Sequence, residues 1–156
     1  DFMYKEFSLK SDCRNIIIND ISYTYKFEKK YKDRLLPLEK MILYGFKNMV
    51  RGKFIFYKSY QEHAIFFNIR SHLYFKVYPL SDSFTSVIPK TPCLLNAVLL
   101  PFKNIIIYDG FLITIGDVEE ELIEDMRHNY KIARKNDEII KKITPETANL
   151  HKTFIS

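Results

Sequence analysis

Two cysteines, four glycines and no apolar run of membrane-spanning length set the first bounds on this chain of 156 residues. Cys13 and Cys93 stand 80 positions apart in apolar or neutral surroundings and are too few to make a structural zinc site by themselves. They read as reduced, buried, inert thiols, which points to the cytoplasm, with a disulfide between them left open by the sequence. Lys, Asp, Glu or Asn interrupts every apolar stretch short of the roughly 18 residues a bilayer crossing needs. No membrane partner is expected. Neither a P-loop nor a G-x-S-x-G motif is present, and no Cys, His and carboxylate set has the spacing of a zinc site, so no metal and no cofactor is assigned. There is no internal repeat, no low-complexity tract and no leader-like segment. A chain that opens on Asp1 has lost its initiator Met or is a piece of a longer protein.

What is present is apolar and aromatic. Hydrophobic residues make up 47% of the chain, with 13 Phe and 11 Tyr, ample surface for one core at about 25 cal/mol per Å² buried. The formal net charge of +5 is uneven: residues 1–60 hold 13 Lys and Arg against 7 Asp and Glu, while residues 61–156 hold 11 against 12. The basic field therefore belongs to the N-terminal part, where it would attract nucleic acid or an acidic protein.

Along the chain, residues 1–36 read as strands, from the apolar run at Ile16–Ile18 and the aromatic, β-branched density of ISYTYKF. From Pro37 the period changes. Leu38, Met41, Ile42, Gly45, Phe46 and Met49 recur at threes and fours, predicting a helix over 37–50 that ends at Arg51-Gly52. Sheet is expected over 53–115. It begins with three aromatic runs (53–60, 64–70, 73–80), crosses a Pro- and Ser-rich loop, and ends in a strand, turn and strand centred on LLPFKNIIIYDGFL. The last pattern is a helix over 117–135 with the stripe Val118, Leu122, Met126, Tyr130, Ala133, acidic at its start and basic at its end. Thr144-Pro145 stops the helical pattern, and 144–156 is read as a tail. The fold class expected is α+β: one domain over 1–143 built on a mainly antiparallel curved sheet or small barrel of five to six strands, covered by the two helices.

Taken in order, RGKFIFYKSYQEHAIFF, PCLLNAVLLPFKNIIIYDGFL and NYKIARKNDEIIKKI resemble the C-terminal part of a poorly characterised prokaryotic protein family, over residues 50–143. In that family a helix precedes a G-K-F strand, an A-I-F strand, an L-L-P-F to I-I-Y-D-G block and a closing helix. Here Lys103-Asn104 occupies a turn that often carries Gly, and Asn tolerates positive φ. The resemblance implies a fold and transfers no catalytic residue.

Asp109, between Tyr108 and Gly110, is a candidate base or metal ligand at a strand end, set against the turn or bulge that Asp-Gly favours. His63 and His72 flank one strand and are expected at its opposite ends, and His128 reads as a solvated helix partner. Asp20, Glu28 and Lys30 bear a likeness to the constellation with which some nucleases hold a divalent metal. Tyr25, Lys26, Lys29, Lys30, Lys32 and Arg34, with Tyr23, Phe27 and Tyr31 between them, form the mixture that binds single strands by phosphate neutralisation and stacking. The acidic turn at 117–125 offers a face for the basic N-terminal part of another copy, giving a homo-oligomer. The function expected is a non-catalytic binding module for nucleic acid or a protein. The alternatives are a metal-dependent enzyme acting on nucleic acid and an accessory domain of a larger protein.

Overall fold

A computed structural model describes residues 2–88 and 90–152. The elements run α1 (Phe2–Asn19), α2 (Ser22–Tyr31), α3 (Pro37–Lys47), β1 (Val50–Ser59), β2 (Ala64–Asn68), β3 (Tyr74–Tyr78), α4 (Phe84–Val87), β4 (Cys93–Phe102), β5 (Ile105–Asp117), α5 (Glu120–Lys135) and α6 (Pro145–Lys152). They fall into two compact units, Asp1–Lys47 and Asn48–Ser156. The α+β class and the small, mainly antiparallel sheet are as the sequence predicts.

The first unit corrects the expectation of N-terminal strands: α1 and α2 occupy that stretch. Aromatic and β-branched density suggested a pleated surface, but local end effects favour helix. The Asp20 carboxylate accepts a hydrogen bond from the Ser22 backbone N–H at 3.0 Å, at the start of α2, while Lys29 and Lys30 sit in its last turn, each charge complementing the macrodipole. Ile18 and Thr24 are buried, and so is Gly45 of α3. Helix α3 stops at Lys47, and Arg51-Gly52, expected to end it, lies inside β1. The glycine serves the strand: Gly52 has φ +152°, where a side chain is strained.

In the second unit the strands close in a ring, in the order β1, β2, β3, β5, β4 and back to β1. Every pairing is antiparallel except β3 with β5, which share only Val77↔Ile106 and Tyr78↔Ile107. Beyond that short parallel contact the chain after α5 fills the gap. Ile140 N–H donates to the Tyr74 carbonyl at 2.8 Å, and Lys76 N–H donates to the Ile140 carbonyl at 2.9 Å. The ring is thus not a regular barrel.

Alternation along the strands makes two layers of core. Inside the ring Phe54, Phe56, Phe66, Phe75, Leu95, Leu99 and Ile106 pack with Phe84 of α4. Phe84 thus contributes from a stretch expected to be loop; its ring lies 5.5 Å from that of Phe56 and 5.7 Å from that of Phe66. Outside, Met126, Tyr130 and Ala133 of α5 cover Ile55, Ile65 and Tyr74. The Tyr74 hydroxyl donates to the Met126 carbonyl at 3.3 Å, and the Tyr60 and Tyr130 hydroxyls share a hydrogen bond of 3.0 Å. Burial, then the neighbouring Tyr57, pushes the Tyr74 phenol up to about 12.

Residues 145–152, read as tail, form α6, and residues 153–156 lie outside the described set. Thr144-Pro145 begins this helix. Thr144 Oγ1 accepts from the Thr147 N–H at 3.2 Å, as a cap does, and Pro145 occupies the first position, where a missing N–H costs nothing. Ala148 and His151 are buried by it.

Candidate functional site

Helix α2 gathers the basic and aromatic residues more tightly than a strand would. In a strand Lys26 would face away from Tyr25 and Phe27; in a helix, positions three and four apart share a face. Tyr23, Lys26, Phe27 and Lys30 therefore form one stripe, while Tyr25 and Lys29 lie on another face. Thr24 on the opposite side is buried, and Glu28 there is half-buried and ion-paired with Lys47. Tyr23, Tyr25 and Phe27 are each about half exposed, at 50%, 52% and 47%. Lys26 Nζ stands 5.5 Å from the centre of the Tyr23 ring, Lys47 Nζ 4.9 Å from that of Tyr25, and Lys30 Nζ 5.3 Å from that of Tyr31. Lys32 and Arg34 continue the basic surface into the exposed turn after the helix. Cations and half-exposed rings are the two groups a single strand uses, one for phosphate and one for base.

The residues of the nuclease-like constellation do other work. Glu28 and Lys30 are two apart on α2 and so point to different faces. Asp20 precedes α2, and its hydrogen bonds from Ser22, side chain and then backbone, hold its carboxyl below the usual value. Among the described residues no three His, Cys, Asp or Glu side chains are grouped to hold a metal ion. Asp109 lies within β5, where the β4–β5 register shifts between Ala97 and Leu99. Its Oδ1 accepts from the Phe111 N–H at 3.2 Å, and Gly110 takes φ +96°. That is the bulge chemistry Asp-Gly favours. At the preceding turn the left-handed residue is Lys103, at φ 54°, and not Asn104.

His63 stacks on Tyr60 and His72 on Phe67, at the two ends of β2. Cys93 is buried, whereas Cys13, expected to be buried, is exposed on α1. Of the acidic turn, Asp117 pairs with Lys90 at 2.8 Å and Glu124 with Arg127.

The residue reading missed one concave site. Arg51, Lys53, Asn68, Arg70, Asn96 and His151 line a recess of about 440 Å³ on the ring. These positions scatter over 100 places of sequence and carry no motif, so only the strand register and α6 bring them together. A second groove of about 480 Å³, between α5 and the outer face of β1–β3, is lined mainly by apolar residues such as Ile55, Phe67 and Leu122.

Compared with protein-family models, with curated proteins and with solved structures, the chain finds no match. Among the described residues no helix is long and apolar enough to cross a membrane.

Proposed function

We propose that the protein is a non-catalytic binding module that takes single-stranded nucleic acid on the exposed face of α2. The observation that carries this is the stripe of Tyr23, Lys26, Phe27 and Lys30, in which half-exposed rings alternate with cations on one helical surface. Five cations fall between Lys26 and Arg34 against the acids Glu28 and Asp33, and Glu28 is occupied by Lys47. An acidic protein would meet the same charge, but the half-exposed rings favour bases, each of which has a face to stack.

Small five-stranded Greek-key barrels often serve as oligonucleotide scaffolds, binding on the face of their second and third strands. Here α5 covers that outer face with Met126 and Tyr130, and likeness of architecture is not function. The reading therefore rests on α2 and not on the ring.

The test is fluorescence anisotropy with a labelled single-stranded oligonucleotide at low salt, for the intact chain and for a Lys26→Ala, Lys29→Ala, Lys30→Ala variant. Binding by the intact chain and its loss in the variant are expected. An equal signal from both overturns the assignment to α2. Cleavage of the oligonucleotide in the presence of Mg²⁺ would overturn the non-catalytic reading.

A further inference from the structure

We propose that the recess lined by Arg51, Lys53, Asn68 and Arg70 binds the phosphate group of a small phosphomonoester. This site lies in the second unit and is independent of the reading on α2.

The construction starts at Asn68, which ends β2 and is 2% exposed. Its Oδ1 accepts from the backbone N–H of Arg70 at 3.0 Å and from that of Ser71 at 2.9 Å. The amide orientation is thereby fixed. Nδ2 is left as the donor, with no hydrogen-bond partner among the described residues. It lies 3.7 Å from where a side chain on residue 52 would begin, so Gly52 leaves the recess open beside it. An amide donor held in place through its oxygen and open to the recess is what an anion oxygen requires.

The charge of the wall agrees. Arg51 and Lys53 come from β1 and Arg70 from the turn after β2, and the lining residues include no carboxylate. Lys53 and Arg70 make no ion pair among the described residues. Guanidinium groups match phosphate by geometry as well as charge. His151 of α6 forms the back. Its Nδ1 donates to the Thr147 carbonyl at 2.7 Å, and its Nε2 lies 2.8 Å from the Ser71 hydroxyl, so the ring braces the turn that carries Arg70. The volume, about 440 Å³, falls in the range of about 300–1,000 Å³ usual for small-molecule sites and leaves room for more than a bare phosphate.

The experiment follows backbone amide resonances of the intact chain during titration with inorganic phosphate, a nucleoside 5′-monophosphate, the matching unphosphorylated nucleoside, and a short oligonucleotide with and without a 5′-phosphate. Saturable shifts centred on Gly52, Asn68, Arg70 and Ser71 are expected with phosphate and the monophosphate and not with the nucleoside. Two variants sharpen this. Arg70→Glu changes an exposed side chain, and Asn68→Asp keeps an oxygen for the Arg70 and Ser71 amides while replacing the donor with a charge. Each should weaken binding by about tenfold or more, the loss of one charge-assisted contact, with an unchanged melting temperature for Arg70→Glu. Binding confined to the phosphorylated oligonucleotide would overturn the small-molecule assignment and place a nucleic-acid end in the recess. No shift with any phosphate, equal binding by the nucleoside, or full affinity in Arg70→Glu would overturn the site.

Discussion

His151 is 2% exposed, and burial holds its imidazole below its ordinary value of 6.5. Arg51, Lys53 and Arg70 line the recess beside it. The folded state keeps this ring neutral at a pH where the unfolded chain has begun to protonate. Stability present above pH 6.5 is therefore lost as the pH falls from 6.5 through the lowered folded value. Urea midpoints should drop between about pH 7 and about pH 5, and a His151→Asn variant should show a shallower drop. A slope unchanged by the substitution would contradict this. The cysteines give a second check at the same scale. Cys13 is exposed, whereas Cys93 is buried, its thiol pushed up first by burial and then by Asp117. The thiolate is the reactive form, so a thiol reagent should label Cys13 promptly and Cys93 only on unfolding. Prompt labelling of both, read by mass, would contradict the buried site.

Helix α5 holds the outer core, and Met126, 2% exposed, is at its centre. Met126→Ala should cost about 2–5 kcal/mol, the usual range for emptying a packed site of that size, measured by denaturant unfolding. A change within experimental error would mean that α5 does not seal β1–β3. Elements were legible where the pattern was long and had one explanation. The stripe of Met126, Tyr130 and Ala133 predicted α5, and the blocks RGKF, LLPF and IIIYDGF fall in β1, β4 and β5. They were illegible where two periods competed. ISYTYKF alternates like a strand, yet the Asp20 carboxylate bound to the Ser22 N–H at one end and the lysines of the last turn at the other favour α2. Thr144-Pro145 signals a helix start as well as a stop, and only burial of Ala148 and His151 decides between them. The recess could not be read at all. Arg51, Asn68, Asn96 and His151 meet through the ring's register, which no local signal carries.

At the scale of the molecule, the chain divides its work between a helical unit rich in exposed cations and rings and a ring of five strands with its own two-layered core. The basic excess is shared between them: residues 1–47 hold 10 Lys and Arg against 7 Asp and Glu, and residues 48–156 hold 14 against 12. The central claim, that α2 binds single strands through Lys26, Lys29 and Lys30, is tested most directly by affinity for a labelled oligonucleotide across a salt series. Each phosphate neutralised on a single strand contributes a slope of about −0.7 in log K against log salt. The intact chain should give a slope near −2 or steeper, and each lysine replaced by alanine should reduce its magnitude by about 0.7. No binding at the lowest salt, or a slope that the lysine substitutions leave unchanged, would contradict the account.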